Sequence, residues 1–181
     1  YKRQANRRIP VPRGRLLGGS SSINGLVFVR GQPLDYDTWG QLGNRGWSFD
    51  DVLPFFQKME HYEHGEDDLR SQGGPLRVSK ATDEGPLYDA ITAASKELGI
   101  PHNPDYNGKS QEGIVRTQTT ISNGVRMSTA RCYLNPVKNR PNLRIETNAH
   151  VQKLLFEGKK CSGVHFRKNG QDRFVHAHKE V

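Results

Sequence analysis

The chain has 181 residues with 27 Lys and Arg against 19 Asp and Glu, a formal net charge of +8. Its mean hydropathy is −0.79, and the lack of any apolar run of about 18 residues excludes a membrane-spanning helix. Cys132 and Cys161 are too few for a disulfide scaffold or a four-cysteine zinc site. They suit an intracellular, reducing compartment better than secretion, and they leave room for one disulfide.

The positive charge is concentrated at the start of the chain. No acidic residue occurs before Asp35, and the basic residues of this stretch are Lys2, Arg3, Arg7, Arg8, Arg13, Arg15 and Arg30. A segment of this kind can bind phosphate groups or pair with an acidic face of the same protein. Charge alone leaves both interpretations open.

Short helices are predicted in the first half, after an extended, proline-containing start at residues 1–13. Ser48 can cap one of them, because Asp51 follows three residues later as an acidic variant of the capping box. Apolar residues then recur at helical spacing up to Met59. The helices predicted here cover residues 21–29 (short and buried), 35–42 and 48–63. Four aromatic residues are predicted to lie in the core, namely Trp39, Trp47, Phe55 and Phe56.

The second half changes from helix to strand. A helix is predicted at 86–98, with Gly99 at its end, and another runs from Ser128 or Thr129 to about Val137. The apolar face of the first of these consists of Leu87, Ile91, Ala94 and Leu98. Strands are predicted at 75–78, 114–122, 143–147, 151–156, 163–168 and 173–177, with Asn123-Gly124 and Asn169-Gly170 as tight turns. The fold class is therefore α+β, with helices first and antiparallel strands late.

The segment from Gly14 to Gly31 carries the clearest chemical signal. Gly18 and Gly19 permit positive φ and let a ligand approach the backbone closely. The serines that follow can leave backbone N–H groups free at the start of a helix, and such N–H groups attract anions. The residues alone therefore favour a phosphate or another anionic group at this loop, with ordinary tight-turn packing as the alternative.

The same segment resembles the first signature of the glucose–methanol–choline (GMC) flavoprotein oxidoreductases. From Gly14 to Gly31 it reads G-R-x-L-G-G-S-S-x-I-N-x-x-x-F-x-x-G, and Asp37 follows after five further residues. Every fixed position of the pattern is filled, so the resemblance is highly specific. Further along, Gly46-Trp47-Ser48 resembles the choline-dehydrogenase-like branch, and the segment 126–131 falls in the order expected for the family. The similarity extends over essentially the whole chain.

The resemblance implies an FAD enzyme that oxidises a small-molecule alcohol. It places Ser20 beside the pyrophosphate and ribitol of FAD, Asn24, Gly25 and Val27 along the isoalloxazine ring, and the backbone of Val151 at the adenine. The cofactor-binding residues expected on this basis are Gly18, Gly19, Ser20, Asn24, Gly25, Leu26, Val27 and Val151. Family members that attach FAD covalently do so through a histidine just before the Asn. Ile23 occupies that position here, so non-covalent FAD is expected.

The resemblance also implies a division into parts of larger domains. Residues 1–47 would be an FAD-binding segment of Rossmann-like type, 48–122 part of the substrate domain, and 123–181 a return to the FAD-binding domain. The dinucleotide fingerprint that should come first and the catalytic histidine that should come last do not occur in the chain. We therefore expect an interior piece from the N-terminal half of a longer enzyme, without catalytic residues of its own and inactive alone.

Two alternatives to this function are a basic polyanion-binding module and a truncated, non-catalytic remnant. The net charge of +8 favours a polyanion-binding module, but the aromatic residues do not alternate with the basic ones as in a stacking surface, so no nucleic-acid partner is expected. A truncated, non-catalytic remnant is the second alternative. His61 with His64, or His176 with His178, could bind a metal, but no further ligand is suitably spaced, and no metal site is expected.

Overall fold

The computed structural model describes residues 2–4, 7–82 and 85–181. The chain divides into two compact units, one ending at Pro136 and one covering Val137–Val181. The first unit contains β1 (Lys2–Gln4), β2 (Arg7–Ile9), α1 (Pro33–Gln41), α2 (Phe49–Met59), β3 (Glu60–Tyr62), β4 (Leu76–Lys80), α3 (Pro86–Glu97), β5 (Gln118–Thr119), β6 (Ile121–Ser122) and β7 (Val125–Arg126). The second contains β8 (His150–Glu157), β9 (Lys160–Lys168) and β10 (Gln171–His176). The predicted α+β class is confirmed.

A small mixed sheet organises the first unit. Strand β4 pairs in parallel with β3 and antiparallel with β5. Val27 forms an isolated antiparallel bridge to Thr119, so the residues after the glycine-rich segment lie along β5. The apolar core at this sheet consists of Phe28, Tyr62 and Val78, with Met59 and Leu76 packed against it.

Helix α2 begins as its sequence predicts. The Ser48 hydroxyl accepts the Asp51 N–H at 3.4 Å, and the Asp51 carboxylate accepts the Ser48 N–H at 3.1 Å. The helix ends at Met59, earlier than predicted, because Glu60 has an extended backbone (ψ 146) and starts β3. Pairing with β4 therefore overrides the helical tendency of residues 60–63.

The aromatic residues near α1 and α2 do not form a buried core, so that prediction was wrong. Trp39, Trp47 and Phe55 are 45%, 52% and 70% exposed. Trp39 and Trp47 instead pack on each other at the surface of this chain, with 5.8 Å between their ring centroids. Mutual contact between large rings covers only part of each.

Helix α3 has the predicted extent, but the face that is buried is the one next to the predicted apolar face. Ser95 is buried, whereas Leu87, Ile91 and Leu98 are 73%, 46% and 76% exposed. The Arg116 guanidinium lies 4.1 Å from the centroid of the Tyr88 ring, on the polar side of the helix. The apolar periodicity located the helix correctly, but it did not determine which face contacts the rest of the chain.

The second unit is a three-stranded antiparallel sheet in the order β10-β9-β8. Asn169 and Gly170, with φ of 52 and 77, form the predicted turn between β9 and β10. The strand predicted at 143–147 was wrong, because these residues pair with no strand in the described part of the chain, and a strand needs a hydrogen-bonded neighbour. The helix predicted from residue 128 is reduced to a five-residue π-helical turn, Ala130–Leu134.

Within the described ranges, no helix is both long enough and apolar enough to cross a membrane. The division into functional segments at 47/48 and 122/123 remains a prediction.

Ser48→Ala should lower the free energy of unfolding by about 1 kcal/mol, because it removes the N-terminal cap of α2. Denaturant unfolding would measure the change. Ser71→Ala is the matched control, since the Ser71 hydroxyl donates only to the neighbouring Gln72 carbonyl. Equal unfolding midpoints for the two variants would contradict the capping role.

Candidate functional site

The glycine-rich loop turns at two left-handed residues. Gly18 and Gly19 have φ of 88 and 53, and a four-residue 3₁₀ turn, Gly19–Ser22, follows them. The Gly19 N–H donates to the Leu16 carbonyl at 2.9 Å. A side chain at Gly14 would overlap the Gly19 carbonyl, so Gly14 permits the loop to fold back on its own start.

The short buried helix predicted for 21–29 was wrong beyond its first turn. Leu26 has φ 69, which a helix cannot accommodate. The residues after it are extended, and the Phe28 N–H donates to the Gln118 carbonyl at 2.9 Å. Pairing with β5, about ninety residues later in the chain, together with β-branched Val27 and Val29, favours the extended form.

The three loop serines hold the loop in place. The Ser20 hydroxyl accepts the Gly14 N–H at 3.2 Å, and the Ser22 hydroxyl donates to the Leu17 carbonyl at 2.9 Å. The Ser21 hydroxyl accepts the Thr129 N–H at 2.9 Å, which ties the loop to the turn at 128–134. The hydroxyls therefore act within the protein, and the loop is shaped before any ligand binds.

Asn24 is fixed from two directions. Its side-chain oxygen accepts the Leu26 N–H at 3.1 Å and an Arg126 N–H at 2.7 Å. The same Arg126 nitrogen donates to the Asn24 carbonyl at 2.8 Å. Asn24 therefore sets the backbone turn that precedes Gly25. Arg126 is a site residue that the sequence indicated only as part of the family-like segment 126–131.

The outer side of this segment is open and carries unused donors. Ile23, Val27 and Val29 are 51%, 57% and 60% exposed. Among the described residues, the N–H groups of Gly25 and Val27 donate to no acceptor. A Cβ added at Gly25 would meet nothing within 4 Å. Free N–H groups beside apolar side chains suit a flat, largely apolar ligand with hydrogen-bond acceptors at its edge, and the ring system of FAD has these properties.

Val151, the remaining predicted contact, lies in β8 of the second unit and is 53% exposed. Its role at the adenine remains a prediction, as do the roles of the loop residues.

Behind the open side lies a buried ionic network that sequence patterns did not reveal. The Glu60 carboxylate is fully buried and accepts hydrogen bonds from Arg30 and from Arg70. Arg70 Nε donates to Glu60 Oε1 at 2.8 Å, and Arg70 Nη1 donates to both Asp105 oxygens at 2.7 and 2.8 Å. Burial lowers the pKa of Arg30 and Glu60 opposes that shift. The two arginines and two carboxylates compensate one another, as buried charges must.

A layer of neutral polar side chains joins this network to the extended segment. Gln118, fully buried, accepts from Arg70 at 3.0 Å and donates to Asp105 at 2.6 Å. Asn107 donates to Gln118 Oε1 at 2.8 Å and accepts the Arg30 N–H at 2.7 Å. These partners come from four separated parts of the chain, so local periodicity could not find them.

Nearby, Tyr62 stacks under Arg70, whose guanidinium carbon lies 3.7 Å from the ring centroid. Burial raises the pKa of the Tyr62 hydroxyl to about 12, so it stays protonated at neutral pH. Among the described residues, no three His, Cys, Asp or Glu side chains come together as a metal site. His61 accepts the Gly73 N–H at 3.0 Å through Nδ1.

Comparison with known proteins gives a consistent result. The family model for GMC oxidoreductases matches residues 3–181. Over 176 residues the chain is 43% identical to an oxygen-dependent choline dehydrogenase of Sinorhizobium fredii, covering 97% of this chain and 32% of that protein. An oxygen-dependent choline dehydrogenase of Brucella ovis is 41% identical over 175 residues, with the same shares covered. The chain spans about a third of the length of these curated relatives.

Solved structures agree. An FAD-dependent oxidoreductase from Chaetomium thermophilum superposes with a TM-score of 0.87 at 30% identity, over 97% of this chain and 33% of that one. Pyridoxine 4-oxidase from Mesorbium loti gives a TM-score of 0.83 at 33% identity, over 91% of this chain and 33% of that one.

Gly18→Ala should destabilise the protein more than Gly43→Ala. Both residues have positive φ, 88 and 98, so each substitution carries a similar backbone strain of about 1 kcal/mol. Only at Gly18 would the new Cβ also crowd Ser22 and lie 3.2 Å from the Ala130 Cβ. Urea unfolding would measure both variants, and equal losses would contradict the close packing of the loop on the 128–134 turn.

Glu60→Gln should cost about 3–5 kcal/mol of folding free energy, because it leaves Arg30 and Arg70 buried without their shared carboxylate. Glu66→Gln is the control, since Glu66 is exposed in the loop that follows β3 and should change stability by less than about 0.5 kcal/mol. Thermal melts of the two variants would give the comparison. Similar melting temperatures would show that the network is not needed for the fold.

Proposed function

Because this chain belongs to the GMC oxidoreductase family, we propose that it forms part of the FAD site of an enzyme that oxidises a small-molecule alcohol. GMC oxidoreductases are FAD-dependent flavoproteins. The observation that supports the proposal best is the open side of residues 23–29, with its exposed apolar side chains and the unpaired N–H groups of Gly25 and Val27. A choline-like alcohol is the proposed substrate class, by analogy with the choline dehydrogenase relatives.

Bound FAD would supply the acceptor for the hydride that leaves the alcohol carbon. In this chain, the N–H groups of Gly25 and Val27 would donate to the ring and stabilise the negative charge that develops on it. Ile23 and Val27 would exclude water from the ring face. Asn24 and Arg126 would hold the backbone that carries these groups in one conformation before the cofactor binds.

Ile23 has a hydrocarbon side chain that offers no nucleophile to the flavin, so we propose that FAD is held without a covalent bond. The base that removes the hydroxyl proton is assigned to none of the seven histidines. The relatives are about three times as long as this chain, and we propose that the reaction requires the full-length protein.

Gly25→Val in the full-length protein should weaken FAD binding at least about tenfold, equivalent to about 1.4 kcal/mol. The added side chain would fill space that the protein leaves empty, and Gly25 does not have a positive φ. Folding should therefore be preserved. Titration of the apoprotein with FAD, followed by flavin absorbance, would measure the affinity.

Gly85→Val is the matched control, because Gly85 also lacks neighbours within 4 Å and its backbone is extended, with φ 163. It lies at the start of α3, outside the proposed site. Undiminished FAD affinity in folded Gly25→Val protein would contradict the placement of the flavin at this loop.

A further inference from the structure

We infer that Tyr106 is a positioning residue for the flavin, acting through the backbone of residues 26–30. This inference rests on the proposed function. Tyr106 does not belong to the glycine-rich loop and lies about eighty residues after it in the chain. It is 9% exposed, and its hydroxyl bonds to both the extended segment and β5.

The Tyr106 hydroxyl bonds to both backbones at once. It donates to the Phe28 carbonyl at 2.8 Å and accepts the Gln118 N–H at 2.8 Å. The Phe28 N–H in turn donates to the Gln118 carbonyl at 2.9 Å. Phe28 and Gln118 thus share one direct backbone hydrogen bond, and the Tyr106 hydroxyl adds a second connection between them.

The alternation of side chains carries this constraint to the open side. Phe28 and Arg30 point inward and are 9% and 6% exposed, whereas Val27 and Val29 are 57% and 60% exposed. In an extended chain, successive side chains point to opposite faces. Fixing the Phe28 backbone therefore fixes the direction of the Val27 side chain and of the free Val27 N–H.

The partner of Tyr106 is itself immobilised by the buried network. The Gln118 side chain is bound by Arg70, Asp105 and Asn107. Asn107 also donates to the Phe28 carbonyl at 3.2 Å. Tyr106 and Asn107 together thus connect the charged core to the segment that would present donors to the flavin.

Tyr106→Phe in the full-length protein tests this role, because it deletes one hydroxyl and keeps the ring. Tyr62→Phe is the matched control. Tyr62 is 5% exposed and packs with Phe28 and Val78 in the same core, but its hydroxyl, unlike that of Tyr106, forms no hydrogen bond among the described residues. The readouts are the melting temperature, FAD affinity and the visible circular dichroism of bound FAD, which depends on how the ring is held.

Tyr106→Phe should bind FAD about tenfold more weakly and alter the visible circular dichroism, whereas Tyr62→Phe should match the wild type in both. A lower melting temperature with unchanged affinity and dichroism would overturn the positioning role and leave the proposed function intact. Equal changes of FAD affinity and dichroism in both variants would also overturn the positioning role, because they would indicate a general loosening of the core.

If Tyr106→Phe does not yield folded protein, Asn107→Ser tests the anchoring of the same backbone, because Asn107 donates to the Phe28 carbonyl and accepts the Arg30 N–H. Wild-type affinity and dichroism in that variant would overturn the inference. A full-length wild-type protein that binds no FAD would overturn the proposed function, and the positioning role with it.

Discussion

The Glu60 carboxylate, shared by Arg30 and Arg70, is the interaction on which the first unit depends. It has no contact with solvent, and an uncompensated charge at such a position costs several kcal/mol. Its two partners come from different places: Arg30 ends the segment after the glycine-rich loop, and Arg70 closes the loop between β3 and β4. The pairing of this one carboxylate with both arginines therefore holds the glycine-rich loop and the sheet together. Arg70 also binds Asp105, which adds the turn at residues 105–107.

The same network changes the meaning of the basic N-terminal stretch. Arg30 is part of that stretch in sequence, but its charge is neutralised inside the protein. Arg7, Arg8, Arg13 and Arg15 are exposed. Arg30, Arg70, Glu60 and Asp105 form a network without net charge, so the net charge of +8 lies on the rest of the chain, and Arg30 itself is not available to bind a polyanion. The sequence left two interpretations of this stretch open, phosphate binding and pairing with acidic residues of the same protein. For Arg30, the second interpretation holds.

Local features of the sequence predicted local structure well. Ser48 with Asp51 marked the start of α2, and Asn169-Gly170 marked the β9–β10 turn, because caps and tight turns depend on adjacent residues. The helix predicted at 21–29 and the buried face predicted for α3 were wrong, because residues distant in sequence determine both. Phe28 pairs with Gln118, and in α3 Ser95 rather than Ile91 is buried. No sequence pattern predicted the buried ionic network, since its members come from separate segments: Arg30, Glu60, Arg70 and Asp105. The glycine-rich motif located the candidate loop, but not the network behind it.

The central claim is that the free N–H groups of Gly25 and Val27 face the flavin. Hydrogen exchange of these two amides, measured in the full-length apoprotein and again with FAD bound, tests it most directly. Donation to the ring should slow both amides strongly while Ser71 and its neighbours exchange as before. Bound FAD with unchanged exchange at Gly25 and Val27 would contradict the claim and would place the ring elsewhere.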